Sequence, residues 1–289
     1  MVTPAARRNI VVHLKEAFQF SERRACKIVG LCRNSCRYQA KPKNDEEIRA
    51  RLRELAEKRR KSGAPTLHTL LRREGFLINH KRTERLYREE GLSLRRKKRK
   101  KRISHLRVLM GGPERVNHHW SMDFVSDGLY NGRRFRVLTI VDNFSRECPA
   151  LEVDHSLTGK RVTRVLDRIA LTRELPEVIT VDNGPEFISK ALDLWAFEHG
   201  VKLRFIQPGK PTQNAYIESF NGKFRNECLN DNVFVSLDSA RSIIEDWRQD
   251  YNSERPHSSL NNITPQEFAA RFKEQQTEIT NPELVQSMG

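Results

Sequence analysis

Two aspartates in this 289-residue sequence stand where a carboxylate needs a specific partner. Asp182 follows the β-branched run Val178–Val181 and precedes Asn-Gly-Pro, which predicts a buried strand that ends in a turn. Asp123 lies inside the apolar segment V-N-H-H-W-S-M-D-F-V, which predicts a core strand. An isolated buried carboxylate is costly, so we expect Asp123 to be paired or to bind a metal ion.

A third carboxylate, Glu218, lies on a predicted helix with two distinct faces. One face repeats apolar residues at core spacing, namely Ile217, Phe220, Phe224 and Cys228. The other face carries one acid, two amides and one base, which are Glu218, Asn214, Asn221 and Arg225. A solvated helix face would usually carry several charges of both signs, so this composition favours a functional face.

Carboxylates from two strands and one helix suit two divalent cations. Mg²⁺ and Mn²⁺ prefer oxygen ligands and keep open positions for phosphate and water. Two such ions about 3.5–4 Å apart can clamp the attacking and leaving oxygens of a phosphodiester. Taken singly, each acid has an ordinary explanation, because aspartates form turns and helix glutamates are usually solvated. The set of three carries the prediction.

Three neighbouring acids compete for the same roles. Asp127 precedes a glycine and predicts a turn, and Asp142 ends a strand before an asparagine and predicts a cap or turn. Glu186 is the best substitute ligand, but it lies four residues past Asp182, beyond the end of the strand. We therefore keep Asp123, Asp182 and Glu218 as the candidate set.

The spacing and the flanking sequences resemble a known family. Asp123, Asp182 and Glu218, with 35 residues between the last two, resemble the acidic triad of retroviral integrases and bacterial insertion-sequence transposases. Arg225, seven residues after Glu218, matches the basic residue of that signature. The blocks V-D-N-G-P-E-F, Q-N-A-Y-I-E-S-F-N-G and Y-N-S-E-R-P-H-S-S-L resemble the second-reading-frame (OrfB-type) transposases of two-frame insertion sequences. This resemblance covers nearly the whole chain.

The resemblance implies a DNA transposase of the bacterial cytoplasm. The triad would be catalytic and would hold two Mg²⁺ or Mn²⁺ ions, and the chain would bind terminal inverted repeats and target double-stranded DNA. The expected reaction is strand cleavage followed by transfer of a 3′-hydroxyl. A homo-oligomer on DNA is also implied, as is a possible fusion or partnership with the upstream-frame product. A DNA-binding regulator with an assembly core and a plain metal-dependent nuclease remain as alternatives.

The charge distribution separates the chain into two parts. The net charge is +16, but residues 1–110 carry +21 and residues 111–289 carry −5. A basic front joined to a mildly acidic remainder predicts a nucleic-acid-binding arm attached to a separate module. The five cysteines have irregular spacing without a zinc pattern, which predicts reduced thiols. No apolar run is long enough to cross a membrane, and the N-terminus is too charged for a signal peptide.

Residues 1–44 predict a helix-turn-helix module. Ser21 can cap a helix, and Gly30 fits the turn that follows. The inward positions of that helix are predicted to be Ala25, Ile28 and Val29. Arg33 and Arg37 would then face DNA. The alternative is an ordinary helical hairpin whose basic faces are solvated.

Residues 45–92 form, by the resemblance, a second helix-turn-helix module. Asn79 can cap its last helix and Gly91 can end it. The candidate DNA contacts on this helix are Lys81, Arg82 and Arg85. Residues 93–112 are a predicted basic linker, because Arg95–Arg102 is an unbroken run of eight basic residues that can follow phosphates.

Residues 113–273 predict an α/β core, and residues 274–289 predict a frayed tail. Three strands are predicted at Trp120–Val125, Phe135–Val141 and Cys148–Val153, followed by alternating helices and strands. The resemblance implies an RNase H-like domain with a mixed sheet between helices. Two further candidate DNA contacts are Lys210, in the loop before the Glu218 helix, and His257, in the R-P-H block.

Overall fold

The computed structural model describes residues 3–38, 44–94, 112–207 and 214–280, with side chains up to 276. The basic run Arg95–Arg102, the candidate contact Lys210 and residues 281–289 lie outside the described residues. The chain divides into two compact units, Met1–Glu47 and Ile48–Gly289. Among the described residues, no helix has the length and apolar character needed to cross a membrane.

The described part of the first unit, up to residue 38, folds into three helices, α1 (Pro4–Phe18), α2 (Glu22–Val29) and α3 (Arg33–Arg37). The Ser21 side chain caps α2, and Gly30 takes a left-handed conformation with φ of 66° at its end. Ala25 and Cys26 of α2 are buried against α1. Ile28 is 58% exposed, so the prediction that it points inward was wrong. The inward face of α2 runs through Ala25, Cys26 and Val29, and position 28 lies on its flank.

Three more helices follow, α4 (Glu46–Lys58), α5 (Ala64–Arg73) and α6 (His80–Glu89), and all but the first two residues of α4 belong to the second unit. Leucines dominate their shared core, which includes Leu52, Leu55, Leu67, Leu71 and Leu86. The Asn79 side chain caps α6 by accepting a hydrogen bond of 2.9 Å from the Lys81 amide. The predicted helical character of the region in front of the core is therefore confirmed.

A five-stranded mixed sheet follows in the same unit. Its strands are β1 (His119–Gly128), β2 (Arg134–Asp142), β3 (Ala150–Asp154), β4 (Val178–Val181) and β5 (Lys202–Phe205). Their order across the sheet is β3-β2-β1-β4-β5. β1, β2 and β3 pair antiparallel, whereas β4 pairs parallel to both β1 and β5. The predicted mixed α/β sheet is confirmed, with the third strand starting two residues later than expected.

Helices cover both faces of this sheet. α7 (Gly159–Ala170) and α8 (Lys190–Glu198) pack on one face, and α9 (Ala215–Glu227) and α10 (Leu237–Ser253) pack on the other. Along β1, Trp120 and Met122 face α7 and α8, and Val125 belongs to the core on the α9 side. Because side chains alternate along a strand, Asp123 points to the face that α9 covers. The last helix, α11 (Pro265–Thr280), continues past residue 274, where the tail was predicted to begin.

Candidate active site

The register of two parallel strands places Asp123 and Asp182 at one edge of the sheet. Ser121 of β1 pairs with Thr180 of β4, and each aspartate lies two residues further along its own strand direction. Both side chains therefore emerge at the same level and on the same face. The sequence predicted both positions, and the pairing of β1 with β4 brings them together.

The loop after β4 is shaped around the Asp182 carboxylate. The Gly184 amide donates a hydrogen bond of 2.9 Å to Asp182 Oδ1. A Cβ atom at position 184 would lie 2.9 Å from the same oxygen, which is closer than real Cβ atoms come. The Asn183 side chain donates to the Ile206 carbonyl at 2.9 Å and ties the loop to the end of β5. The Asp-Asn-Gly sequence thus fixes the carboxylate by a tight turn.

Helix α9 brings Glu218 to this edge. Its apolar face, formed by Ile217, Phe220 and Phe224, is fully buried, as the spacing predicted. Its polar face meets β1, because Asn221 Nδ2 donates a hydrogen bond of 2.8 Å to Asp123 Oδ2. Glu218 lies one turn before Asn221 and is exposed. The sequence analysis did not predict the hydrogen bond between Asn221 and Asp123. The polar face of this helix, which includes Asn221, was the feature that could have indicated it.

The environment of Asp123 disfavours its charged form. Burial raises the pKa of the Asp123 carboxyl, and the nearby charges of Asp182 and Glu218 raise it further. The Phe124 amide, which donates to Asp123 Oδ1 at 2.7 Å, and Asn221 act in the opposite direction but do not cancel the rise. The three carboxylates are therefore close enough to interact electrostatically, which is the arrangement that a bound cation would relieve.

The oxygens of Asp123, Asp182 and Glu218 are suitable ligands for a hard divalent cation, although they do not form a complete coordination shell. Among residues 3–38, 44–94, 112–207 and 214–280, no three His, Cys, Asp or Glu side chains are gathered closely enough to hold a metal ion. Asn221 Oδ1, buried near the Asp123 carboxylate, has no hydrogen-bond partner among the described residues. Oxygen donors of this kind are those that Mg²⁺ and Mn²⁺ prefer.

Arg225 lies two turns beyond Glu218 and reaches the far end of β1. Its Nη2 donates to the Ser126 carbonyl at 2.8 Å, and its Nη1 lies 3.6 Å from Asp127 Oδ2. The side chain is 45% exposed, so donors of its guanidinium remain accessible to a phosphate. Its contact with DNA stays a prediction.

The competing acids have structural partners. Asp142 is fully buried and accepts backbone hydrogen bonds from Asn117, Phe144 and Ser145, so it forms a turn, one of the two roles predicted for it. Glu186 forms an ion pair with Arg136 of strand β2. Asp127, the third competitor, lies beside Arg225 at the far end of β1. Asp123, Asp182 and Glu218 therefore remain the candidate set.

His257 is buried rather than placed on the surface. The residue is only 2% exposed, and its ring packs edge-on against Tyr251 with the ring centroids 4.7 Å apart. Burial, together with the charges of Arg255 and Lys223, lowers the pKa of His257 to about 2, so the ring is neutral. These contacts favour a structural role for His257 over the direct DNA contact suggested by the sequence.

At least three of the five candidate DNA contacts of the helical modules form ion pairs with acidic side chains. In the first unit, Arg33 and Arg37 both approach Glu22 Oε1, at 3.4 and 2.9 Å. In the second unit, Arg85 pairs with Glu89 one turn later at 2.9 Å, and Lys81 lies in the first turn of α6. Arg82 occupies the same turn. Their contacts with DNA stay predictions.

Models of known protein families match both the helical part and the α/β part of the second unit. The family described as an integrase core domain matches residues 113–211, and a second integrase core description matches residues 199–265. The family described as an HTH-like domain matches residues 43–101. Together with the strand order, these matches confirm the RNase H-like integrase core and a helix-turn-helix-like domain in front of it.

Individual relatives come from mobile elements. An uncharacterized 31.7 kDa protein of insertion element IS407 from Burkholderia multivorans is 52% identical over 261 residues, which cover 90% of this chain and 94% of that protein. The putative transposase InsK of IS150 from Escherichia coli is 26% identical, covering 79% of this chain and 85% of that protein. The HTLV-2 integrase catalytic core domain in complex with magnesium superposes with a TM-score of 0.43 at 21% identity, covering 54% of this chain and 97% of that one. An identity of 52% across almost the full length of both proteins shows that the present chain belongs to the family of OrfB-type insertion-sequence transposases.

Proposed function

We propose that the chain cuts DNA at the ends of its mobile element and joins those ends to target DNA. In the first step, a water oxygen bonds to phosphorus while the bond from phosphorus to the 3′-oxygen breaks, which leaves a 3′-hydroxyl and a 5′-phosphate. In the second step, that 3′-hydroxyl oxygen bonds to a target phosphorus while another 3′-oxygen leaves. No covalent intermediate with the protein is required.

The observation that carries this proposal is the state of Asp123. The carboxyl is half-buried, it lies beside Asp182 in register, and its pKa is raised by burial and by the charges of Asp182 and Glu218. A chain gains nothing in stability from three interacting carboxylates, so the arrangement points to function. A divalent cation held there would activate the attacking oxygen and stabilise the leaving one.

The protein side chains then have distinct tasks. Asp123 and Asp182 would hold two Mg²⁺ or Mn²⁺ ions, and Glu218 would complete the set. Asn221 orients the Asp123 carboxylate through its hydrogen bond. Arg225, next to the end of β1, would bind a DNA phosphate and so align the scissile bond with the carboxylates.

DNA recognition would reside mainly in the basic front of the chain. Residues 1–110 carry +21, which favours phosphate binding there. We expect the helical modules to recognise the terminal inverted repeats and the core to engage target DNA. We further propose that the chain acts as a homo-oligomer on DNA in the bacterial cytoplasm, alone or together with an upstream-frame product.

A direct assay separates this proposal from its alternatives. The purified chain would be incubated with Mg²⁺ or Mn²⁺ and a labelled duplex that ends in the terminal repeat of its element, with a scrambled repeat as control. We expect cuts at the element end and joined products of higher mass. Cutting without joining would indicate a nuclease, and selective binding without either reaction would indicate a regulator.

A further inference from the structure

Three ion pairs join the helix-turn-helix-like part of the second unit to its catalytic core. We call this set the clasp. It consists of Arg59 with Asp250, Arg73 with Glu267, and Lys61 with Asp231. In each pair the cation comes from the helical part and the anion from the core, so the two surfaces are complementary in charge.

The pair of Arg59 with Asp250 is the strongest of the three. Arg59 Nη1 and Nη2 donate to the two Asp250 oxygens, each at 2.7 Å, which is a bidentate arrangement. The Arg59 side chain is only 11% exposed. Exposed single ion pairs contribute little, but a bidentate and partly buried arginine pair fixes geometry as well as adding energy.

The second pair is anchored by a helix cap. Arg73 Nη2 donates to Glu267 Oε2 at 2.6 Å and to the Asn262 carbonyl at 3.2 Å. The same Glu267 oxygen accepts the Thr264 amide at 2.8 Å, and Thr264 Oγ1 accepts the Glu267 amide at 3.1 Å. This reciprocal cap holds the Glu267 carboxylate at the start of α11. Arg73 therefore binds a carboxylate whose position is already set.

The clasp connects by packed elements to the candidate active site. Asp250 precedes Tyr251 on α10, and the Tyr251 ring packs edge-on against Phe220 of α9 with centroids 4.9 Å apart. Phe220 lies two residues after Glu218. On the other side, Arg59 and Arg73 follow or end α4 and α5, which share a leucine core with α6. The helix with the predicted DNA contacts and the helix with Glu218 are thus joined through a chain of packed elements.

Chain length alone does not set this spacing. The two parts are 17 residues apart in sequence, and a peptide of that length can reach up to about 60 Å when fully extended. Among the described residues, the clasp is what holds the two parts at one spacing.

We propose that the clasp is a ruler that sets the distance between the repeat-reading helix α6 and the catalytic carboxylates, so that the carboxylates meet one defined phosphodiester of the bound repeat. This inference rests on the proposed function, because it assigns a cutting position to a transposase. It adds that the position is set by Arg59 and Asp250 within one chain.

The test locates the DNA positions that lie next to residue 218 in the complex, and it does not depend on the protein's own cleavage activity. Glu218→Cys, in a background with Cys32→Ser and Cys36→Ser, would carry an iron–EDTA probe whose radicals cut the bound repeat duplex. These two native cysteines are replaced because they are not fully buried. The pattern would be compared among the parent protein, Arg59→Asp, Asp250→Arg and the double variant. Asp238→Arg is the matched control, because it changes an acid that is also on α10 but is 90% exposed and pairs with Arg241 of the same helix.

If the clasp sets this distance, the probe should cut within a narrow window of the duplex in the parent protein and in the Asp238→Arg control. Each single variant should raise the share of cuts outside that window by about tenfold, as expected when a charged hydrogen-bonded pair is lost. The charge-swapped double variant should restore the narrow pattern. A merely structural pair would lower the yield of bound protein without moving the cuts.

Two results would overturn the inference. One is a narrow and unchanged pattern in both single variants. The other is restoration of the narrow pattern by mixing the Arg59→Asp and Asp250→Arg proteins, since that result would place the pair between two chains. Failure of the proposed function shows itself separately, as absence of cutting by the unlabelled parent protein with Mg²⁺, and leaves the probe pattern readable.

Discussion

The Asn221 side chain donates a hydrogen bond of 2.8 Å to Asp123 Oδ2 and so joins helix α9 to strand β1. The carboxylate that accepts this bond is half-buried and has a raised pKa, while the other amide atom, Asn221 Oδ1, is buried without a partner. One amide therefore holds a carboxylate whose charged form is disfavoured, and its oxygen can still accept a hydrogen bond. This relationship determines what substitutions at the site should do.

Replacing the carboxylate of Asp123 should stabilise the metal-free protein. In Asp123→Asn the charge repelled by Asp182 and Glu218 is gone, and the new amide can donate to the unpartnered Asn221 Oδ1. We expect the melting temperature at pH 8 to rise by a few degrees, since about 1 kcal/mol moves Tm by roughly 2–4 °C in a domain of this size.

The pH dependence of that gain has a definite sign. The folded-state pKa of Asp123 lies above its usual value, so stability from its protonated form is present at low pH and is lost as pH rises through that pKa. The advantage of Asp123→Asn should therefore grow with pH and vanish in acid. Thermal melts from pH 4 to pH 8 measure it, and an advantage that grew toward low pH would contradict the account. Added Mg²⁺ should stabilise the wild type and not the variant.

Removing the support should weaken the metal site without weakening DNA binding. In Asn221→Ala the Asp123 carboxylate loses a donor, so its pKa rises further and protons compete better with the metal. We expect cleavage to fall by about 10–100-fold, with partial recovery at high Mn²⁺ or high pH. Asn226→Ala, which removes an exposed amide of the same helix, is the control. A loss that neither metal nor pH relieves would show that Asn221 has another role.

Substitution of Arg225 should weaken DNA binding more than it changes the metal dependence of cleavage. Its guanidinium lies against Ser126 and Asp127, beyond the carboxylates, and keeps donors for a phosphate. Arg225→Ala should reduce productive binding and lower the slope of log affinity against log salt by about 0.9, the value for one phosphate contact. Arg225→Lys keeps the charge and should retain most of that slope. Metal titrations of cleavage should be unchanged, and a shift as large as that of Glu218→Gln would assign Arg225 to the metal site instead.

The basic front should separate into residues that bind phosphate and residues that read sequence. Neutral substitutions across Arg95–Arg102 should reduce the salt slope equally for repeat and random duplexes, because a run of charges contacts phosphates and not bases. Paired substitutions of Arg33 with Arg37, or of Lys81 with Arg85, should instead reduce the preference for the repeat. Salt titrations of the full-length chain on both duplexes distinguish these outcomes. Equal losses on both duplexes from the paired substitutions would remove these helices from the recognition surface.

The sequence predicted the elements of the core because their patterns are local. The apolar spacing of Ile217, Phe220 and Phe224 identified the buried face of α9, and the alternation around Trp120 and Met122 identified β1. The turn chemistry of Asp-Asn-Gly identified the end of β4. Each of these signals needs only a few consecutive residues.

Contacts between distant segments could not be predicted in the same way. The bond of Asn221 to Asp123 joins residues 98 positions apart, and the Arg59–Asp250 pair joins residues 191 apart. Burial of His257 follows from its packing on Tyr251, and exposure of Ile28 follows from how α2 meets α1. A polar or apolar type at one position does not reveal which distant partner the fold brings to it.

The most direct test of the central claim replaces each member of the triad while keeping its size. Asp123→Asn, Asp182→Asn and Glu218→Gln would be assayed for cutting and joining of repeat-ended DNA with Mg²⁺ and Mn²⁺. Glu186→Gln, which changes another acid in the loop that contains Asp182, is the control. We expect each triad variant to lose both reactions by at least about 10³-fold, as for the loss of a central catalytic group, while binding of repeat DNA stays near wild type. Near-normal joining by any one of the three would contradict the assignment of that residue, and loss of activity in Glu186→Gln alone would move the site to Glu186.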